Sequence, residues 1–320
     1  MKPISQSLEE YLALRRRLGF KLKQDGRLLA QFVSFLGEEG NSHITTELAL
    51  RWAVKPDNAQ RCHWARRLSM VRLFAEYRKA TDSKTEIPPP KLLPETYRRT
   101  PPYIYTDEQI IHLITAAEEL PSTVPGTTGL RARTYYTLIG LLSVTGMRIS
   151  EALSLNREDV DLNQALLTVR GTKFDKSRLI PIHKSTQEAL QQYAHLRDRI
   201  YPEPEARTFL VSERGTKLGY SGVRSTFIRL SREIGLRGLS YNHGPRMHDL
   251  RHRFAVSTMI NWYREGVGDI ERRLYVLSTF LGHVKASYTY WYLTAVPELL
   301  QLAVERLEGI GEDYYHEDSL

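Results

Sequence analysis

Apolar residues in the first part of the chain recur with the period of an α-helix. Two series are spaced mainly three or four positions apart: Leu28, Leu29, Phe32, Val33 and Leu36, and then Trp64, Leu68, Val71 and Ala75. Side chains at this spacing share one helix face, which is buried against a neighbouring helix. Ser7 and Glu10 have the spacing of a capping box ahead of LEEYLALRRRLG. The pattern predicts a small bundle of helices before residue 86.

The second part of the chain combines helical periods with two short β-like runs. Thr106 and Gln109 have capping-box spacing ahead of an apolar helix, and the next helix, TYYTLIGLLSVTG, ends at Gly146. The runs ALLTV and RLIPI are separated by RGTKFDKS, which is typical of a β-hairpin. A further helix is predicted to start at Ser185 and Glu188. The sequence therefore predicts a fold that is mainly α-helical with one small β-sheet.

A stretch rich in proline separates these two parts. Residues 83–106, SKTEIPPPKLLPETYRRTPPYIYT, contain six prolines. Since proline lacks a backbone N–H and fixes φ, we predict an extended connector without helix or inner strand. The chain is accordingly divided into a helical domain at 1–85, a linker at 86–105, a second domain at 106–300 and a tail at 301–320. The tail is acidic, because it holds six acidic residues and only one arginine.

The composition excludes several classes of protein. With 41% apolar and 26% charged residues among 320, the chain is typical of a folded protein with room for two domains. It has no apolar run near the ~20 residues that cross a bilayer, and its N-terminus lacks the apolar core of a signal peptide. Cys62 is the only cysteine, which excludes an intrachain disulfide framework and a multi-cysteine zinc site. We expect a cytoplasmic protein with no membrane partner.

Positive charge indicates a polyanionic partner. The formal net charge is +8, and residues 1–82 hold 15 Lys and Arg against 9 Asp and Glu. This balance favours nucleic acid, although charge runs are more often solvated faces. We predict that nucleic-acid phosphates are contacted by six arginines of the later helix in the first domain and of the linker: Arg61, Arg66, Arg67, Arg72, Arg98 and Arg99.

Two pairs of polar residues in the second part have a spacing that suits phosphate chemistry. Arg148 follows the Gly146 turn, where a new helix begins and backbone N–H groups favour an anion. Glu151 lies three residues further on and could orient this arginine, although such a pair is usually an ordinary surface ion pair. His248 and Arg251 have the same spacing within an uninterrupted helical run.

The His-x-x-Arg spacing carries little weight by itself. It also occurs at His63–Arg66 in the first domain and at His243–Arg246, where a glycine and a proline interrupt the segment. Only the combination with other stretches of the second domain makes the pair at 248 and 251 specific.

Four stretches follow one another in the second domain: TGMRISEAL, TKFDKSRLIPI, HDLRHRFA and LGHVKASYTYWY. Over about residues 103–300 they resemble the first-arginine, lysine-hairpin, His-x-x-Arg and histidine-to-tyrosine boxes of the tyrosine recombinase (phage integrase) family. Each box is weak alone, but all four in this order are specific. The resemblance implies a helical core-binding domain followed by an α+β catalytic domain. The segment 261–280 looks longer than in compact members of the family.

The resemblance also implies a set of catalytic residues: Arg148, Lys173, His248, Arg251, His283 and Tyr292. In the family the nucleophilic tyrosine follows the histidine of Leu-Gly-His by nine residues, which indicates Tyr292. Tyr288 stays a competing assignment, and Tyr290 is expected to pack or to contact DNA. The two arginines would hold the phosphate oxygens, with Glu151 supporting the first of them.

Further roles follow from the same resemblance. His248 would activate the phenol, and His283 would donate a hydrogen bond to the phosphate. Lys173 would protonate the departing 5′ oxygen, with Lys176 as its competitor. The chain has no Asp/Glu cluster that suggests a two-metal site, so we expect neither a metal, nor another cofactor, nor ATP. The reaction implied is site-specific recombination through a 3′-phosphotyrosyl intermediate, serving a mobile element.

The family resemblance extends to partners. It implies a clamp around double-stranded DNA, a tetramer of protomers that pairs two sites, and a C-terminal helix exchanged between protomers; companion recombinases are a further partner class. Three other interpretations stay open at this point. They are a catalytically inactive integrase-like DNA-binding protein, an enzyme like a type IB topoisomerase, and a basic structural protein with a chance set of motifs.

Overall fold

The computed structural model describes residues 2–94, 101–170, 177–203, 205–238, 244–266, 268–283 and 285–306. The chain divides into two compact units, residues 1–100 and 101–320. The finer boundaries predicted at residues 85, 105 and 300 stay predictions. In the described parts of 83–106 there is no helix or strand, which agrees with the proline content of that stretch.

Helices enclose a single apolar core in the first unit. The described helices are α1 (Ile4–Arg17), α2 (Lys23–Glu38), α3 (Thr46–Val54) and α4 (Arg61–Lys79). The two apolar series of the sequence lie on α2 and α4 and face this core, where Phe32, Leu36 and Val71 are fully buried. The prediction of a helical bundle is confirmed for this unit.

The capping box predicted at Ser7 and Glu10 is wrong. Helix α1 begins at Ile4, and the Ser7 N–H already donates to the Pro3 carbonyl (3.1 Å) as part of the helix. The Ser7 hydroxyl is buried and accepts a hydrogen bond from the Arg78 guanidinium on α4. The serine therefore links two helices instead of starting one.

The second unit is built mainly of helices. Those described are α5 (Asp107–Glu118), α6 (Leu130–Thr145), α7 (Ile149–Ala152), α8 (Lys184–Ile200), α9 (Tyr220–Glu233), α10 (Met247–Arg264), α11 (Ile270–Leu281) and α12 (Ser287–Ala295). Residues 297–306 are also helical. The capping box at Thr106 and Gln109 is confirmed. Helix α8 begins at Lys184 with His183 as its cap, one residue before the predicted start.

The predicted hairpin forms two strands of a small antiparallel sheet. Strands β2 (Leu166–Val169) and β3 (Arg178–Pro181) pair in the register Leu167 with Ile180, and a short strand β1 (Val160–Asp161) pairs with β2. One face of the sheet, which includes Leu167 and Ile180, is buried against the helices. The sheet thereby fixes the start of β3 beside the helical core.

Two apolar clusters hold the second unit together. The larger one surrounds α6 and includes Leu113, Leu138 and Leu142. The other lies among α10, α11 and α12 and includes Leu277 and Tyr292. None of the described helices is both long and apolar enough to span a membrane.

Candidate active site

Three arginines converge on the C-terminal end of α11. The consecutive carbonyls of Phe280, Leu281 and Gly282 each accept a hydrogen bond from a different guanidinium. The donors, in that order, are Arg178 Nε (2.8 Å), Arg251 Nη2 (2.7 Å) and Arg148 Nη2 (2.8 Å). The last carbonyls of a helix lack partners within the helix, and its dipole is negative at this end, so cations gather here. We refer to Arg148, Arg178 and Arg251 as the arginine cluster.

A glycine allows this close approach. Gly282 ends α11 with a φ of +67°, a left-handed conformation that favours glycine. A Cβ atom placed there would lie 2.9 Å from Arg178 Nη1 and 3.5 Å from Arg148 Nη1. The absence of a side chain at this position therefore leaves room for two guanidinium groups.

Arg148 is fixed by its own helix and by the turn that follows α11. It directly precedes α7, after the left-handed turn at Gly146 (φ +59°) that ends α6 as predicted. Glu151 on α7 accepts from the Arg148 Nη1 (2.7 Å) and from the Arg148 backbone N–H (2.8 Å). Burial alone would raise the pKa of Glu151, but hydrogen bonds from Arg178 and Arg148 lower it to about 2. The carboxylate is ionised and holds its arginine.

Arg251 lies on α10 and is only 2% exposed. Its Nη2 donates to the Leu281 carbonyl (2.7 Å), and its Nη1 donates to the carbonyl of Gly146 (2.8 Å), two residues before Arg148. Burial and the nearby charge of Arg148 lower the pKa of Arg251 to about 10. The guanidinium is still charged at neutral pH. Arg148 and Arg251 therefore place two positive charges at the end of α11.

His248 lies one helical turn before Arg251 on α10. Packing on part of its ring and the positive charge of Arg251 lower the pKa of His248 to about 4. Because His248 is exposed, water screens part of this effect. His248 is therefore a neutral imidazole at pH 7, able to accept a proton.

His283 directly follows the Gly282 turn. Its Nδ1 lies 2.8 Å from the Thr289 Oγ1 on α12, and Thr289 is fully buried. This contact orients the ring and connects the end of α11 to α12. His283 is thus adjacent in the chain to the carbonyls that the arginine cluster binds.

Tyr292 is buried in the core of the second unit. It is 1% exposed, and its hydroxyl lies 2.6 Å from the His252 Nδ1 on α10. The phenol is close enough to Arg251 that a negative charge on it would raise the pKa of that guanidinium. By contrast, the competing Tyr288 is 45% exposed. The structure therefore brings Arg148, Arg251, His283 and Tyr292 into one region of the second unit.

Other predicted site residues have different surroundings. Lys173, Lys176, Arg98 and Arg99 lie outside the described residues. On α4, Arg61 is exposed. The exposed Arg66 pairs with Asp25 (2.8 Å), and the partly exposed Arg72 pairs with Glu76 (2.7 Å).

Arg67 does not fit a phosphate contact. It is 6% exposed, its guanidinium carbon lies 3.6 Å from the centroid of the Trp52 ring, and its Nη2 donates to the Trp52 carbonyl (2.7 Å). Its position on α4 turns the side chain into the helical bundle rather than toward solvent. Arg67 is therefore a packing residue in this structure, and we leave it out of the proposed DNA contacts.

Two residues of this region were missed by the sequence reasoning, Arg178 and His252. Arg178 begins the RLIPI strand and lies two residues before the buried Ile180, so strand alternation could have placed it on the inner face. His252 lies four residues after His248 and shares its helix face, with the two ring centroids 4.7 Å apart.

Among the described residues, no group of three or more His, Cys, Asp or Glu side chains could hold a metal ion.

Comparison with known proteins gives a consistent result. Residues 104–298 match the model of the phage integrase family. The chain is 48% identical over 314 residues to the putative integrase/recombinase y4rB of Sinorhizobium fredii, covering 98% of this chain and 99% of the relative. It is 30% identical over 232 residues to the tyrosine recombinase XerC of Chlamydia caviae, covering 71% of this chain and 65% of the relative.

Solved structures share the fold. An integrase of the Tn1549 transposon in complex with transposon right end DNA has a TM-score of 0.63 at 15% identity, covering 96% of this chain and 100% of that one. A lambda integrase tetramer bound to a Holliday junction has a TM-score of 0.58 at 17% identity, with 89% and 79% coverage. At such low identities these neighbours confirm the fold alone.

The chain belongs to the phage integrase family, the tyrosine recombinases. The family and the mainly helical fold class predicted from the sequence are confirmed.

Proposed function

We propose that the chain cuts and rejoins DNA strands at specific sites, with Tyr292 forming a covalent 3′-phosphotyrosyl intermediate. The observation that carries this proposal is the convergence of Arg148, Arg251 and His283 at the end of α11, beside the helix of the tyrosine. The names of its relatives, which include recombinases and integrases, support the same reaction.

Arg148 and Arg251 are proposed to hold the non-bridging oxygens of the scissile phosphate. An arginine has five N–H donors, and each of these two uses two guanidinium nitrogens in the described contacts, so others are left for the phosphate. Phosphoryl transfer depends mainly on positioning and on neutralising spread negative charge. Two fixed guanidinium groups and a donor from His283 meet this requirement.

The nucleophile needs to lose its proton. A phenol of pKa ~10 is mostly protonated at neutral pH, and the neutral His248 is the proposed acceptor. As the Tyr292 oxygen forms a bond to phosphorus, the bond from phosphorus to the 5′ oxygen breaks, and Lys173 protonates that oxygen. The new phosphotyrosyl bond conserves the energy of the broken link, so rejoining consumes no ATP.

The buried position of Tyr292 adds a step. Its hydroxyl lies against His252 in the core, so a DNA phosphate cannot reach it in this conformation. We propose that α12 shifts when the chain binds DNA, which brings the phenol oxygen out toward the arginine cluster.

The proposed substrate is double-stranded DNA, bound by the helical domain at 1–85 and the catalytic domain at 106–300. In the first domain Arg61, Arg66 and Arg72 are the proposed phosphate contacts, joined by Arg98 and Arg99 in the linker at 86–105. We also propose a tetramer that exchanges its C-terminal helix, a role on a mobile element in the cytoplasm, and companion recombinases. A transposon integrase among the structural neighbours supports the role on a mobile element by analogy, and a tetrameric integrase supports the tetramer.

The test is covalent capture on a nicked suicide substrate that carries the true site. We expect the wild-type chain to form an adduct, Tyr292→Phe to form none, and the control Tyr288→Phe to retain it. DNA affinity should stay within about twofold in both variants, because neither substitution removes charge. An adduct that persists in Tyr292→Phe contradicts the assignment, and a wild-type chain without any adduct contradicts the enzyme. Supercoil relaxation by a monomer without pairing of two sites would instead identify an enzyme like a type IB topoisomerase.

A further inference from the structure

Arg178 connects three elements of the site. It is the first residue of β3, and its side chain is only 11% exposed. Its Nη1 and Nη2 donate to the two Glu151 oxygens (3.1 and 2.7 Å), and its Nε donates to the Phe280 carbonyl (2.8 Å). One guanidinium therefore joins β3, α7 and the end of α11.

The carboxylate that Arg178 binds is also the one that orients Arg148. Glu151 accepts four hydrogen bonds, two from each arginine, so its two oxygens are shared between them. The two positive charges repel each other, and the carboxylate between them offsets this repulsion. Without Arg178, Glu151 would lose half of these contacts and would be free to rotate together with the Arg148 guanidinium.

We propose that Arg178 is a positioning residue for DNA cleavage. Through Glu151 it fixes the guanidinium of Arg148, and through Phe280 it fixes the turn that carries His283. This inference rests on the proposed function, which assigns Arg148 and His283 to the phosphate. The role requires a guanidinium, because a lysine ammonium retains the charge but cannot present the planar fork that binds both Glu151 oxygens and also reach Phe280.

A purely structural role is the alternative, since breaking a buried ion pair destabilises a fold whether or not the pair acts in the reaction. Arg197 on α8 offers a matched control for that alternative. It is 4% exposed, donates through Nε and Nη2 to the two oxygens of Asp198 (2.8 and 3.0 Å), and donates through Nη1 to the Phe209 carbonyl (2.8 Å). Like Arg178, it thus binds both oxygens of one carboxylate and one backbone carbonyl, but through different nitrogens and with partners outside the arginine cluster.

The experiment compares Arg178→Lys with Arg197→Lys in single-turnover adduct formation on the nicked substrate. The protein concentration saturates the DNA substrate, and the temperature is well below the unfolding midpoints of both variants. We expect Arg178→Lys to slow the reaction by about 10²-fold, as a displaced catalytic group does, with unchanged DNA affinity. Arg197→Lys should lower the unfolding midpoint but change the rate by less than about threefold, since it lies apart from the site. Equal rates for the two variants overturn the proposal.

A double-mutant cycle distinguishes positioning from an independent effect. If Arg178 acts through Arg148, adding Arg178→Lys to Arg148→Lys slows adduct formation by much less than the about 10²-fold of the single change. If the double variant is instead slowed by the product of the two single effects on the rate, Arg178 acts independently of Arg148. That result overturns the proposal.

A second cycle does not depend on catalysis, so failure of the proposed function can be recognised separately. Urea midpoints are measured for Arg178→Lys, Glu151→Gln and the double variant. If the midpoint shift of the double variant differs from the sum of the two single shifts, the result supports a carboxylate shared between Arg178 and Arg148. If the two single shifts add, the shared carboxylate is overturned. A wild-type chain that forms no adduct would reject the proposed function, and this cycle would still decide whether Arg178 holds Glu151.

Discussion

At the residue scale, the charge of the site comes from the arginine cluster and one carboxylate. Three guanidinium groups and the ionised Glu151 leave a formal charge of +2 around the carbonyls at the end of α11. A phosphodiester has a single negative charge, and the transition state spreads further negative charge over its oxygens. The surplus positive charge suits a site that binds the transition state better than the bound DNA.

The pH dependence of Glu151 gives a prediction at this scale. Its pKa in the folded chain, about 2, lies below the ordinary value of 4.5, so the carboxylate stabilises the fold above that ordinary value. This stabilisation is lost as the pH falls through 4.5 toward 2. The stability difference between wild type and Glu151→Gln should therefore shrink by roughly 2 kcal/mol between about pH 6 and about pH 3. Urea unfolding at both pH values measures it.

Because every other acidic residue is present in both proteins, the difference isolates Glu151. A difference that stays constant over this range contradicts the shifted pKa and the hydrogen bonds that cause it.

Single residues show where sequence reasoning reaches its limit. Arg148 and Arg251 were predictable because each belongs to a recognisable stretch, and the structure brings both to one turn. Arg178 was not singled out, since an arginine at the start of a strand is usually solvated, and only the fold shows that Glu151 and Phe280 surround it. Ser7 was misassigned because a local capping pattern cannot reveal that Arg78 on another helix needs a partner.

At the scale of elements, the site depends on how helices end. Helix α6 ends at Gly146, Arg148 follows two residues later and directly precedes α7, and α11 ends at Gly282. Both glycines have left-handed backbones, and both carbonyls accept from an arginine of the cluster. The turns therefore set the positions of Arg148 and Arg251.

Gly146→Ala tests this dependence on a turn. A Cβ atom at Gly146 would lie 2.5 Å from the Phe254 Cδ1, and the φ of +59° disfavours any L side chain. We expect a loss of stability of about 2–4 kcal/mol from strain and overpacking, together with slower adduct formation as Arg251 is displaced. Chemical denaturation and single-turnover cleavage are the measurements.

Gly140→Ala, inside the same helix, is the matched control. Apart from the backbone of its own helix, no heavy atom lies within 4 Å of a Cβ built there, so alanine should raise stability by up to about 1 kcal/mol and leave cleavage unchanged. Equal effects at both glycines would show that the turn at 146 is not special.

The elements were largely predictable, because long apolar periods determine helices and a paired run determines a hairpin. The two-residue strand β1 was not predicted, since two residues are too few for a pattern. Ile111 belongs to the apolar helix predicted after Thr106 but is 59% exposed. Its helix α5 packs mainly through Ile110 and Leu113, and tertiary packing alone decides which part of a wide apolar face is buried.

At the scale of the whole molecule, the positive charge predicts how the chain meets its substrate. Binding to DNA phosphates releases counterions, so affinity should fall linearly on a plot of log affinity against log salt. We expect Arg61→Ala to weaken binding to all sequences alike and to reduce the salt slope by about 1, because this exposed side chain is a proposed phosphate contact. Titrations use the Tyr292→Phe chain, so that no strand is cut.

Arg199→Ala, an exposed arginine of the second unit outside the proposed contacts, serves as the control and should leave the slope unchanged. An affinity that does not change with salt contradicts the proposed mode of binding.

The division into two units could be predicted from the prolines of residues 83–106. The family could be predicted from the four stretches that follow one another in the second domain. The burial of Tyr292 against His252 was not, because it depends on how α10 and α12 pack in three dimensions. Spacing along the chain identifies which tyrosine matches the family, but it contains no information on whether that phenol faces DNA or the core.

The most direct measurement is the identity of the residue that becomes attached to DNA. The adduct formed on the suicide substrate is digested with nuclease and protease, and the modified peptide is sequenced by mass spectrometry. We predict a 3′-phosphate end linked to the oxygen of Tyr292. A link to Tyr288, to Tyr290 or to any other residue would contradict the assignment of Tyr292 as the nucleophile.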